Sequence, residues 1–130
     1  MINARFEHFA LNVADMDAVA DWYEANLGLK KVRYDAGVKT FLADNTGTVI
    51  MELYSNPNAP AFDLPDVNWL TLHVAYVVDD IDAAQEALLK AGATIEDPKR
   101  LNMEDWMVML RDPFGLPLQL LKRAKSLLEE

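Results

Sequence analysis

Apolar and polar residues alternate along two stretches of the chain, residues 5–13 and 71–78. Because successive side chains of a strand point to opposite faces, this alternation predicts two strands that are each covered on one face. In the first strand the large apolar side chains share one face. The other face holds smaller or polar residues, namely His8, Ala10 and Asn12.

The eleven residues that begin at His8 recur at His73. The offset is 65 residues in a chain of 130, and six of the eleven positions are identical. Chance at average amino-acid usage gives roughly one match. The chain is therefore predicted to be an internal duplication, and each half is one copy of the same module.

Both copies continue in the same way. Asp15 and Asp80 each precede apolar residues spaced by three and four, a pattern that predicts a helix with an aspartate N-cap. The helices are predicted to stop at Gly28 and Gly92. Short strands follow, and turns at 44–47 and 112–115 separate the last two strands of each half. Each half is thus predicted to be β-α-β-β-β, and the fold class is α+β.

The order of elements predicts the domain organisation. Residues 1–54 form the first module and residues 69–123 the second. Residues 55–68 are a Pro-rich connector, and residues 124–130 are a tail of one or two helical turns. A length of 130 residues suits one structural domain overall.

Composition narrows the possible partners. Apolar residues make up 52% and charged residues 25%, which is typical of an ordered globular protein. The net charge of −9 argues against nucleic-acid binding, because a phosphate backbone would be repelled. The sequence has no cysteine, no signal-peptide pattern and no stretch of membrane-spanning length. We expect a soluble cytoplasmic protein with no membrane partner.

The residues that could carry out chemistry lie on the polar faces of the strands. The only two histidines, His8 and His73, occupy equivalent positions of the repeat. The closing strand of the first module carries Glu52, and that of the second carries Gln119. A lone carboxylate in an apolar strand is costly to bury unless a cation accompanies it. The alternative is that each histidine is a hydrogen-bonded structural residue.

The motifs of both halves resemble the vicinal oxygen chelate superfamily, which includes glyoxalase I, extradiol dioxygenases, and the bleomycin and fosfomycin resistance proteins. The similar segments are His8-Phe-Ala-Leu-Asn-Val-Ala-Asp15, Met51-Glu-Leu53, His73-Val-Ala-Tyr-Val-Val-Asp-Asp80 and Asp112-Pro-Phe-Gly-Leu-Pro-Leu-Gln119. The resemblance implies a curled eight-stranded mixed sheet around a cavity, with the helices outside. It also implies a homodimer and a small-molecule substrate or ligand.

The same resemblance implies a metal site formed by His8, Glu52, His73 and Gln119. Family members usually have Glu at the last position, and an amide oxygen is a weaker ligand that cannot take a proton. Two imidazoles and one carboxylate suit one divalent Zn, Mn, Fe, Co or Ni ion. Such an ion would chelate two neighbouring substrate oxygens and stabilise an enolate or similar oxyanion. Glu52 would serve as ligand, catalytic base or both.

Two functions follow from this resemblance. The first is a glyoxalase-like, metal-dependent enzyme of the lyase or isomerase type that acts on a small oxygenated metabolite. Ordinary glyoxalase I activity is disfavoured because of Gln119, and dioxygenase activity because its carboxylate belongs at position 119 and not 52. The second is a metal-free binding or drug-sequestering protein of the bleomycin-resistance type. Asn12, Trp106 and Met109 are candidate substrate contacts, although Met and Trp residues are more often core.

Overall fold

The computed structural model describes residues 1–62 and 66–128. Part of the predicted connector, residues 63–65, and the last two residues of the tail lie outside the described residues. The chain divides into two compact units, residues 1–62 and 63–130. Residues 124–128 form bends and turns in place of the predicted helical turns, and the Ser126 hydroxyl accepts a bond of 3.2 Å from the Leu128 N–H.

The first unit is a βαβββ module. Its elements are β1 (Phe9–Asn12), α1 (Met16–Leu27), β2 (Lys30–Asp35), β3 (Lys39–Ala43) and β4 (Val49–Tyr54). They form one four-stranded sheet in the order β1-β4-β3-β2. Strand β1 is parallel to β4, and the other two pairings are antiparallel.

The second unit repeats this arrangement. Its elements are β5 (Val74–Val77), α2 (Ile81–Lys90), β6 (Thr94–Asn102), β7 (Asp105–Arg111) and β8 (Pro117–Lys122). The strand order is β5-β8-β7-β6, again with one parallel and two antiparallel pairings. The predicted α+β class and the two tandem βαβββ modules are confirmed, and hydrogen bonding joins the described strands into two mixed sheets of four.

Both helices begin where the sequence predicts. The side chains of Asp15 and Asp80 each accept a 3.0 Å bond from the N–H three residues later, which satisfies a free donor of the first helical turn. Helix α1 ends before Gly28, whose φ of 68° lies in the left-handed region that glycine adopts without steric cost.

The two predicted turns rest on equivalent aspartates. Asp112, which is only 4% exposed, accepts 2.9 Å bonds from the N–H groups of Phe114 and Leu116. Asp44 accepts from the Thr46 hydroxyl, which is the main reason that the pKa of its carboxyl lies below the ordinary value. These side-chain bonds fix the turns locally and join β3 to β4 and β7 to β8.

Each helix packs on one face of its own sheet and buries the apolar side chains there, including Leu11, Leu42, Met51 and Leu53 in the first unit and Val108, Leu110, Leu118 and Leu120 in the second. The opening strands are shorter than predicted because β1 pairs with β4 only over Phe9–Asn12. His8 and His73 therefore each lie one residue before the first paired residue of their strand. No helix among the described residues is long and apolar enough to span a membrane.

Candidate functional site

His8 and Glu52 come together on the face of the first sheet that α1 leaves uncovered. Strand β4 lies between β1 and β3, so that Glu52 has Ala10 on one side and Phe41 on the other. The His8 Nε2 lies 3.6 Å from the Glu52 Oε1. Both side chains are partly shielded, with 28% and 14% of their areas exposed.

The contacts of His8 indicate which ring nitrogen carries the hydrogen in the neutral ring. Its Nδ1 lies 2.8 Å from Oε1 of Glu7, and because a carboxylate only accepts, Nδ1 carries the hydrogen. In the neutral ring, Nε2 then has the free lone pair, and it is this nitrogen that faces Glu52. The ring also makes an edge contact with Phe41 at 5.3 Å between centroids, which restrains its orientation.

His73 has the same arrangement in the second unit. Its Nδ1 lies 2.8 Å from the carbonyl oxygen of Trp69, so the hydrogen again resides on Nδ1 and the lone pair on Nε2. The partner differs, a backbone carbonyl in place of a carboxylate, but the result for the ring is the same. Histidines that ligate metals commonly donate their other ring N–H in this way.

Gln119 lies at the position of the second sheet that corresponds to Glu52. Strand β8 places it between Ala75 and Met109, and its Nε2 lies 3.9 Å from the sulfur of Met107. A thioether is a weak acceptor, so this contact holds the amide only weakly. Met109, 2% exposed, is on the same face as Gln119.

The residues of the first unit fit part of a divalent metal site. Ligand atoms bonded at about 2.0–2.2 Å are separated by roughly 3.0 Å at a right angle and roughly 3.4 Å at the tetrahedral angle. The 3.6 Å between His8 Nε2 and Glu52 Oε1 requires only a small adjustment to reach that range. No three His, Asp or Glu side chains of residues 1–62 and 66–128 form a group that could hold a metal ion, so the pair needs further ligands.

Comparison with known proteins identifies the family. The sequence profile of the Glyoxalase/Bleomycin resistance protein/Dioxygenase superfamily matches residues 5–120. The chain belongs to this superfamily. No curated protein sequence is significantly similar to it.

Solved structures of the superfamily share the fold. A fosfomycin resistance protein from Mesorhizobium loti superposes with a TM-score of 0.69 at 17% identity, and the match covers 98% of this chain and 96% of that one. A glyoxalase-related enzyme from Fulvimarina pelagi gives 0.70 at 18% identity, over 92% and 88%. A glyoxalase/bleomycin resistance protein from Albidiferax ferrireducens gives 0.65 at 21% identity, over 91% and 98%. At such low identity these likenesses show the fold alone.

Trp106 lies on the opposite face of its sheet from Met109 and Gln119. The pairing of β7 with β8 is continuous, so residues three apart on β7 point to opposite faces. Trp106 is 39% exposed, and the Lys99 ammonium sits 5.1 Å from the centre of its ring. The two predicted contacts therefore cannot line one surface of the sheet, and only Met109 shares the face of Gln119.

Asn12 forms hydrogen bonds to the segment that follows β4. Its amide nitrogen donates to the carbonyls of Asn56, Ala59 and Pro60 at 3.0, 3.0 and 3.1 Å. Its amide oxygen accepts a 2.7 Å bond from the Asn56 N–H. These bonds fasten residues 56–60 to the end of β1, and the substrate contact of Asn12 stays a prediction.

We expect Asn12→Ala to destabilise the protein by about 1–3 kcal/mol, because the peptide groups of residues 56–60 lose hydrogen bonds to one side chain. Urea unfolding measures the loss, and hydrogen exchange should show faster exchange of the Asn56 amide. Asn26→Ala, an exposed asparagine on α1, is the control and should stay within about 0.5 kcal/mol of wild type. Equal effects of the two substitutions would rule out the anchoring role.

A cleft on the same face opens next to Glu52, and we call it the Lys39 cleft. Its cavity volume is about 370 Å³, and its lining comprises Val38, Lys39, Glu52, Tyr54, Asn56, Asn58 and Ala59. The sequence did not indicate a functional role for Lys39, because a lysine at the first position of a strand is usually exposed to solvent. The alternation of residues 39–43 places Lys39 and Phe41 on one face, but only the pairing with β4 shows that this face includes Glu52.

Proposed function

We propose that this superfamily member is a divalent-metal-dependent enzyme of the lyase or isomerase type that acts on a small oxygenated metabolite. His8, Glu52, His73 and Gln119 would supply the metal ligands, two from each module. The two pairs would combine within one chain or across the two copies of a homodimer, as the family resemblance implies.

The matched state of the two histidines supports the proposal most directly. In each module an oxygen acceptor holds the Nδ1 hydrogen, which leaves the Nε2 lone pair available for a cation. A purely structural histidine gains nothing from having its counterpart, 65 residues away, in the same tautomer. Glu52, placed beside one of these nitrogens, supplies the negative charge that a divalent cation requires.

A bound metal would stabilise negative charge that develops on substrate oxygens. The chain itself contributes Glu52, the one carboxylate of the four proposed ligands. Its Oε1 faces His8, and its side chain also lines the Lys39 cleft. Glu52 would therefore accept a proton from a substrate held in that cleft, because Gln119 has no group that can do so.

Gln119 favours a second candidate, a metal-free protein that binds or sequesters a small molecule. The amide brings no charge, and its half-buried neighbour Met107 is apolar, which suits an uncharged ligand. This function predicts tight binding of an apolar ligand and a thermal shift that a chelator leaves unchanged.

Metal content after loading tests the proposal. The protein is incubated separately with Zn²⁺, Mn²⁺, Fe²⁺, Co²⁺ and Ni²⁺, dialysed, and assayed by elemental analysis. We expect about one ion per chain for at least one metal, and loss of that ion in His73→Ala. Thr71→Ala, an exposed neighbour, should retain it. If the wild-type protein retains none of the five metals, the proposed metal-dependent enzyme is contradicted and the metal-free binding protein is favoured.

A further inference from the structure

The Lys39 cleft offers a positive charge beside the proposed ligands. Lys39 is half-buried and takes part in none of the ion pairs that the described residues form, in a chain whose net charge is −9. Acidic side chains outnumber basic ones, 21 to 12, so a lysine without a carboxylate partner is available to an external anion.

The Lys39 ammonium, the Phe41 ring and the His8 ring are successive neighbours on this face. The Lys39 ammonium lies 5.8 Å from the centre of the Phe41 ring, and Phe41 makes the edge contact with His8. Lys39 pairs with Tyr54 and Phe41 pairs with Glu52, so Lys39 is one pleat, about 7 Å along the strand, from the level of Glu52. A small molecule with one end at Glu52 can reach Lys39 with the other.

The rest of the lining suits a singly charged group. Tyr54 brings a hydroxyl, and Asn56 and Asn58 bring side-chain amides, all neutral groups that can donate hydrogen bonds. Lys39 is the only cation of the lining and Glu52 the only anion. One lysine balances the single charge of a carboxylate, whereas a phosphate dianion beside Glu52 would exceed it.

We propose that the Lys39 cleft binds a carboxylate of the substrate, so that the small oxygenated metabolite is also a carboxylic acid. Lys39 is then a specificity-determining residue that orients the substrate toward Glu52. This inference rests on the proposed function, because Glu52 is shared by the cleft and the proposed ligand set.

Two pairs of probes test the inference, each pair matched in size. Protocatechuate, a catechol that carries one carboxylate, is compared with its carboxamide in metal-loaded protein by calorimetry. Benzoate and benzamide, which have no vicinal oxygens, are compared in metal-free protein. We expect each acid to bind about tenfold more tightly than its amide, the effect of one charge-assisted hydrogen bond at a half-buried site.

The variants separate Lys39 from the general charge of the protein. Lys39→Met should abolish the preference for the acids, and Lys39→Arg should retain most of it. Lys30→Met, which removes an exposed lysine of the same sheet, should leave the preference unchanged. Equal binding of acid and amide by wild type in both pairs, or an unchanged preference in Lys39→Met, would overturn the inference.

The two pairs also separate this inference from the proposed function. A preference for benzoate that persists in protein unable to retain metal supports the Lys39 cleft and contradicts the metal site. Metal-dependent binding of protocatechuate and its carboxamide with equal affinity supports the metal site and contradicts carboxylate binding in the Lys39 cleft.

Discussion

Glu52→Gln is expected to weaken the binding of a divalent metal by more than roughly 100-fold, because loss of an outer-shell partner alone typically costs 10–100-fold. The substitution removes the only carboxylate of the four proposed ligands and keeps the size of the side chain. The His8 Nε2, 3.6 Å from the Glu52 Oε1, would then face a neutral amide. Isothermal titration with Zn²⁺ or Ni²⁺ measures the change.

The reverse substitution at the matching position should strengthen metal binding. Gln119→Glu places a charge beside Met107 and Met109, where burial without a cation is unfavourable. We therefore expect a lower Tm than wild type without metal, and a larger rise in Tm when metal is added. The same variant should gain hemithioacetal isomerisation, since it gains a second carboxylate that can move a proton.

Glu104→Gln is the matched control for Glu52→Gln, because it makes the same change at an exposed turn residue. It should alter neither the metal affinity nor the Tm shift. Metal binding that survives Glu52→Gln unchanged would remove Glu52 from the site. A Gln119→Glu protein whose Tm shift upon metal addition equals that of wild type would show that residue 119 lies away from the metal.

Leu118→Ala is expected to lower the free energy of unfolding by about 3–4 kcal/mol, because truncation of a fully buried leucine leaves a cavity. Leu118 is 0% exposed and pairs with Val74 on one side and with Leu110 on the other, on the sheet face that α2 covers. Urea unfolding followed by far-ultraviolet circular dichroism measures the loss.

Leu101→Ala makes the same chemical change at a residue of β6 that is 53% exposed, and it should cost less than about 0.5 kcal/mol. The contrast between the two leucines tests the assignment of sheet faces in the second unit. Similar costs for both would contradict the burial of the α2 face.

The strand faces that carry the proposed ligands were predictable from the repeat and from local alternation, and the family resemblance implied the ligand set itself. The duplication aligned His8 with His73, and alternation put Glu52 and Gln119 on the faces opposite the buried leucines. The aspartate caps at Asp15 and Asp80 were predictable for the same reason, since each bond spans only three residues.

Contacts between segments far apart in the chain escaped that reasoning. The hydrogen bonds of Asn12 to residues that lie 44–48 positions later in the chain were not predicted. Trp106 and Met109 were both predicted as substrate contacts, and alternation along one unbroken strand places them on opposite faces of the sheet.

The sequence alone thus determined the βαβββ repeat, its helix caps and turns, and which residues share a strand face, because those properties depend on neighbours within a few positions. Only the tertiary structure decided that Asn12 fastens residues 56–60 to the end of β1, and that Lys39 lies one pleat from Glu52. The second result depends on the register between β3 and β4, which shifts at Leu42 and Ala43. Such a shift adds a residue to one strand of the pair, and the alternation of side chains within a single strand does not show where it falls.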